Sequence, residues 1–266
     1  MHLTNRPSAS LFRFVLTVAS LSAAMFLAAC GSSGSKPVPL PPAIPSAEPV
    51  LLYVGAGTSS SDVSAIESVL GTLHVGFTTA TGSQLEALDE AHLGGYKLII
   101  IPGGNSITIG QNLSANAAAN IRTAVTGYGV HYLGVCAGAF FGGYSIYNGV
   151  DLTSGVFFNF YAAEFQGIHI EPVQLTFPNR APLDVYWQDG PQLSGWGNVV
   201  ARFPDGTPAI VEGNSGPGFV ILTGVHLEAP ASWRVGLAFN TPLGTDLAYA
   251  GTLFQAALNG NPLPHF

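Results

Sequence analysis

The chain has 266 residues and a formal charge of −7 at neutral pH, with 47% apolar and only 9% charged residues. No basic patch is visible, which excludes nucleic acid as an expected partner, and the length suits a single large α/β domain with a sizeable core. There are only two cysteines, Cys30 and Cys136, so no disulfide framework is available.

The N-terminal stretch reads as a targeting signal. Arg6 and Arg13 precede an apolar run from Phe14 to Ala29, too short for a convincing membrane span. The run ends Leu27-Ala28-Ala29-Cys30-Gly31, which resembles the lipobox of bacterial lipoproteins. That resemblance implies cleavage before Cys30, which becomes the mature N-terminus and carries acyl chains. Several chains on one residue hold a protein stably to a bilayer. Residues 1–29 are therefore expected to be a signal peptide. Residues 30–48, with Pro37, Pro39, Pro41, Pro42 and Pro45, are expected to be a lipidated cysteine and extended tether. Residues 49–266 form the globular part. Removing residues 1–29 takes away two arginines and no acid, leaving six basic against fifteen acidic residues. The expected location is the cell envelope, periplasmic or surface-exposed. Gly31, where aspartate would signal inner-membrane retention, favours the outer membrane if two membranes exist.

In the globular part, Val50 to Val54 reads as a buried strand followed by the turn Gly55-Ala56-Gly57-Thr58-Ser59-Ser60. Asp62 to Leu73 has Val63, Ile66, Val69 and Leu70 at helical spacing. A strand over 74–79 and a helix over 83–93 follow. Lys97 to Ile101 is a β-branched strand that stops at Pro102-Gly103-Gly104. A helix over 113–126 and a strand over 130–135 lead to Cys136, which opens the next helix. This alternation predicts parallel β-α-β units in a doubly wound, flavodoxin-like sheet. Ligands in such sheets bind beyond the carboxyl ends of the strands. After residue 150 the pattern becomes β-rich. Short strands are expected over 173–177, 183–187, 198–203, 208–212 and 218–222. Pro204-Asp205-Gly206-Thr207 reads as a hairpin turn, and a helix over 245–258 closes the chain.

Cys136 stands in Gly134-Val135-Cys136-Ala137-Gly138, between an apolar strand and small helix-forming residues. This is a strand-turn-helix elbow, in which the glycines let strand and helix approach closely. A sulfur at a helix start meets the positive end of the peptide dipoles. Such a nucleophile needs a base held by a third group. His226, in Gly224-Val225-His226-Leu227-Glu228 after another apolar run, is the candidate base, and Glu228 the orienting acid. The backbone amides of Gly103, Gly104 and Ala137 are the candidate oxyanion donors.

These three motifs, in this order, resemble class I glutamine amidotransferase-like domains. Within that group the chain is most similar to the domain named after the N-terminal region of biotin-protein ligases. Gly55-Ala56-Gly57-Thr58-Ser59, the run Tyr132 to Gly142 and the segment Tyr186 to Pro191 carry the likeness, which spans roughly residues 49–260. It implies Cys136 as nucleophile, His226 as base and Glu228 as orienting acid. The glutaminase motif has proline between His and Glu, whereas this chain has Leu227. No synthetase domain accompanies the motifs in the sequence, and nothing resembles a ligase catalytic domain. The expected function is thus a membrane-tethered Cys-His-Glu hydrolase or acyl-transfer enzyme acting on an amide-type bond of a small molecule or peptide. The alternative is a small-molecule or protein binding module that keeps the fold without turnover.

Other patterns are weaker. Gly55-Ala56-Gly57 begins a dinucleotide fingerprint, but Ser60 replaces its third glycine, so no nucleotide cofactor is expected. His169 and Glu171 would share a strand face without further ligands, so no metal is expected. Phe157, Phe158, Phe160, Tyr161 and Phe165 could wall a pocket, with Glu164 as a polar group in it. No feature specifies an oligomeric state.

Overall fold

The computed structural model describes residues 39–266, so the expected signal segment and Cys30 lie outside the described residues. The domain starts at Leu40. Residues 40–48 have no regular secondary structure but are tied to it. The Ile44 amide donates to the Ala91 carbonyl at 2.9 Å, and the Tyr128 hydroxyl donates to the Pro41 carbonyl at 2.9 Å.

The first half alternates as its pattern predicts. Strand β1 (Val50–Tyr53), helix α1 (Ser60–Thr72) and strand β2 (Phe77–Ala80) come first. The expected helix over 83–93 is instead two short pieces, α2 (Gly82–Glu86) and α3 (Glu90–Leu93). The break has a local cause: the Asp89 carboxylate accepts from the His92 amide and caps a new helix. Strand β3 (Leu98–Ile101) follows, then a short helix α4 (Ser106–Gln111) that the apolar periodicity does not announce. Asn105 caps it by accepting from the Thr108 amide. Helix α5 (Ala115–Tyr128), strand β4 (His131–Val135) and helix α6 (Ala137–Gly142) complete this half.

The second half is β-rich: β5 (Asn159–Phe160), β6 (Ile170–Leu175), β7 (Leu183–Gln188), β8 (Pro191–Gln192), β9 (Asn198–Arg202), β10 (Pro208–Ser215) and β11 (Gly218–Thr223). Helix α7 (Leu243–Asn259) closes it.

The main sheet has seven strands in the order β2-β1-β3-β4-β11-β10-β9. The first five are parallel, and β10 and β9 add an antiparallel edge. The β9–β10 turn is the one expected at Pro204 to Thr207. Pairs β5–β8 and β6–β7 form two small separate ladders. Alternate strand residues bury on opposite faces. Val50, Leu52, Ile100, Leu133 and Ile221 pack with Ile66 of α1 and Leu253 of α7. Leu51, Ile99, Tyr132 and Leu222 pack with Ile121 of α5 and Phe141 of α6. A parallel sheet covered on both faces needs such apolar strands. The carboxyl ends of β1, β3, β4 and β11 therefore converge on one edge. The turns after them carry Gly55, Gly103, Cys136 and His226.

Candidate active site

Cys136 occupies the corner between β4 and α6 with φ 48° and ψ −103°. A side chain seldom adopts this backbone, and such strain collects at functional positions. Its amide donates to the Thr223 carbonyl at 2.8 Å, tying the corner to β11. The glycines around it are needed for close packing. A Cβ on Gly138 would collide with the Ile101 carbonyl of β3, and one on Gly134 with the Gly138 carbonyl. Cys136 is only 4% exposed, and its Sγ lies 3.4 Å from the Gln188 carbonyl as a weak donor.

His226 follows β11 and is held from several sides. Its amide donates to the Tyr186 carbonyl at 2.9 Å. Its ring meets Tyr186 and Trp233 edge-on, with centroids 6.0 Å and 5.3 Å away. Nδ1 lies 2.7 Å from Glu228 Oε1. This contact assigns Nδ1 the proton and leaves Nε2 as the nitrogen free for chemistry.

The structure adds a group that the sequence reading missed. Asp62 of α1 is fully buried, and its Oδ1 lies 3.6 Å from His226 Nδ1. Its Oδ2 accepts from the Gly103 amide, while Oδ1 has no hydrogen-bond partner among the described residues. Gly103 sits in the middle of the group. A Cβ there would come within 2.7 Å of both Asp62 Oδ2 and His226 Cε1, and 3.3 Å from Cys136 Cβ. Only a bare backbone fits between these three side chains. The Gly103 amide is thus already engaged, which removes it from the candidate oxyanion donors. The amides of Gly104 and Ala137 donate no hydrogen bond among the described residues. Gly104 has φ 140°, and a Cβ there would strike the Gly57 carbonyl.

The charges in this cluster are interdependent. Burial works against the His226 cation, but Glu228, Cys136 and Asp62 outweigh it and hold the imidazole well above its ordinary range. Burial pushes Glu228 up to about 7, and the Asp62 charge adds to that. Asp62 ends below its ordinary range, because hydrogen bonds and the His226 charge overcome its burial. Of the two carboxyls, Asp62 is therefore the one that stays ionised.

Two sets of residues have donor atoms within 4.8 Å of one another: Asp62, His226 and Glu228, and Glu164, His169 and Asp189. In both, histidine Nδ1 is engaged by carboxylate, at 2.7 Å from Glu228 and at 3.1 Å and 3.0 Å from Glu164 and Asp189. Glu171, expected to share a face with His169, is not in the second set.

Two cavities meet at Cys136. One, of about 420 Å³, is lined by Ser59, Ser61, Asp62, Gln188, His226 and Trp233 among others. The second, of about 220 Å³, opens on the other side over Gly104, Ala137, Phe140, Phe160, Glu164 and Asp189. Glu164 therefore does face a pocket beside Cys136, as its place in the aromatic segment 157–165 anticipated.

This fold is of the class I glutamine amidotransferase-like type, with a mostly parallel sheet and its candidate nucleophile at a strand-helix elbow. Residues 48–156 match the family described as biotin-protein ligase, N terminal. That match includes Asp62, Gly103, Gly104 and Cys136 but stops well before His226 and Glu228. Among solved structures, a glutamine amidotransferase from Methylobacillus flagellatus superposes with TM-score 0.53 at 15% identity, covering 83% of this chain and 97% of that one. One from Thermotoga maritima gives TM-score 0.43 at 13% identity, covering 80% and 89%. An exo-β-1,4-mannosidase from Opitutaceae bacterium strain TAV5 gives 0.46 at 14% identity. Here 80% of this chain covers only 36% of that enzyme. The comparison with curated proteins found no match.

Proposed function

We propose that the chain is a cysteine-nucleophile hydrolase or acyl-transfer enzyme for an amide-type bond, tethered to a membrane through Cys30. The observation that carries this reading is the buried cluster in which Cys136, on a strained elbow, adjoins an imidazole held by Glu228 and Asp62. The Cys136 sulfur attacks the substrate carbonyl carbon, and His226 Nε2 takes the thiol proton. The Gly104 and Ala137 amides stabilise the oxyanion. As the C–N bond breaks, His226 returns the proton to the leaving amine, giving a thioester on Cys136. Water or an acceptor nucleophile then attacks the thioester, loses its proton to His226, and releases the thiol. Leu227 in place of proline argues against glutamine as the substrate.

The test is labelling by a thiol-directed activity probe. Wild type should label at Cys136, Cys136→Ala should not, and His226→Ala should label at least about 100-fold more slowly. Labelling unchanged in His226→Ala would remove the base and leave a non-catalytic binding module with a free thiol. Anchoring is tested separately: Cys30→Ala should move the protein from the membrane to the soluble fraction.

A further inference from the structure

A third cavity, of about 320 Å³, continues from the second. The two share Ser106, Ile107, Phe140 and Phe160 as walls. Phe140 and Phe160 meet edge-on at 5.0 Å and form its neck. Its character differs sharply from the polar cavity around His226. Ile107, Tyr144, Ile146, Tyr147, Phe157 and Phe160 are all large apolar side chains left substantially exposed, and all line this one space. Such a concentration of uncovered apolar surface beside a reactive centre marks a binding site.

The chemistry orients a substrate across these spaces. A leaving amine must lie where His226 can protonate it, which is the cavity shared with Ser59, Ser61 and Gln188. The acyl part must then extend to the opposite side of Cys136. That side passes Ala137 and Phe140 and leads into the apolar cavity. We propose that this cavity binds an aliphatic or aromatic acyl chain, so that the substrates are N-acyl compounds with an apolar acyl group and a polar amine part. The inference rests on the acyl-transfer reading above and assigns that site its substrate class.

The test uses p-nitrophenyl acetate, butyrate, hexanoate and octanoate, each below its micellar concentration, with intact-mass detection of the acyl group on Cys136. The acylation constant should rise by about fourfold for each methylene that enters the cavity. Phe160→Ala and, at the more exposed rim, Phe157→Ala should each lower the octanoyl-to-acetyl ratio by about tenfold. Phe157 is 61% exposed, so that variant should fold normally. A flat series with acetyl still reaching Cys136 would overturn the acyl-chain site and leave the proposed function standing. Failure of every ester to acylate Cys136 would overturn both. A flat series combined with phosphatidylglycerol-vesicle binding that is lost in Phe157→Ala would assign the patch to a lipid surface and overturn the inference.

Discussion

At the residue scale, the decisive contact is the pair of carboxylates on one imidazole. Glu228 accepts from His226 Nδ1 at 2.7 Å, and Asp62 stands 3.6 Å from the same nitrogen. Against the cost of burial, the Glu228 charge, Cys136 and the Asp62 hydrogen bond hold the His226 cation above its ordinary range. Replacing either should let the imidazole lose its proton at lower pH. The measurement is the His226 ring signal followed by NMR through a pH titration, with downward shifts expected in Asp62→Asn and Glu228→Gln. Asp62→Asn should also cost about 10- to 100-fold in Cys136 acylation, because the ring and the Gly103 turn lose a shared anchor. A His226 titration unmoved by both variants would make the carboxylates structural only. Cys136, His226 and Glu228 were legible because their neighbours form short motifs after apolar strands. Asp62 was not: it follows Ser59 at N-cap spacing, and such an acid ordinarily stays at the surface of a helix start. Its side chain instead turns inward, onto a loop 41 residues away in sequence.

At the scale of elements, the elbow depends on how closely α6 approaches β3 and β4. Gly138 backbone lies against the Ile101 carbonyl with no room for a Cβ. Gly138→Ala should therefore destabilise the fold by about 1–3 kcal/mol and slow thiol labelling, read by denaturant unfolding and by the activity probe. Deeper in the sheet, Leu133 of β4 is fully buried, and Leu133→Ala should cost about 2–5 kcal/mol through cavity formation. Most elements could be read from apolar runs, since strands covered on both faces carry continuous apolar residues. The exceptions are the short helices set by capping and the two-residue strands β5 and β8. The split at Asp89 and the helix begun at Asn105 are decided by single side chains over one turn, too short for a periodic signal.

At the scale of the whole molecule, buried acids set the response to pH. Burial pushes Glu228 up from 4.5 to about 7, and the Asp62 charge adds to this. Burial likewise pushes Asp246, in the first turn of α7, up from 3.8 to about 7, although Arg234 opposes it. Between the unfolded and folded values the native chain holds protons that the unfolded chain has released. Stability therefore falls as pH rises from about 4 to about 7. His226 acts in the same direction, since its contribution is full below 6.5 and is lost as pH rises through the raised folded value. Asp62, being lowered, acts oppositely: its contribution is present above 3.8 and is lost as pH falls below that. Thermal unfolding should show a midpoint that declines from pH 5 to pH 8. Glu228→Gln and Asp246→Asn should each flatten the decline. A midpoint that rises over that interval would contradict the buried-acid account.

By itself the sequence determined the class of the fold, the alternation of strands and helices in its first half, the elbow cysteine and the histidine-glutamate pair. Each is written within a few consecutive residues, as strand hydrophobicity, glycine at close approach, or a motif at a strand's end. Only the tertiary structure decided which groups share the site from afar. It brought Asp62 onto His226, engaged the Gly103 amide, and set Glu164 and Asp189 beside Cys136. It also joined Ile107, from one half of the chain, to Phe157 and Phe160 in the other to make the apolar cavity. Those relations depend on how the β-rich half folds back over the sheet. No local periodicity records such packing between distant segments.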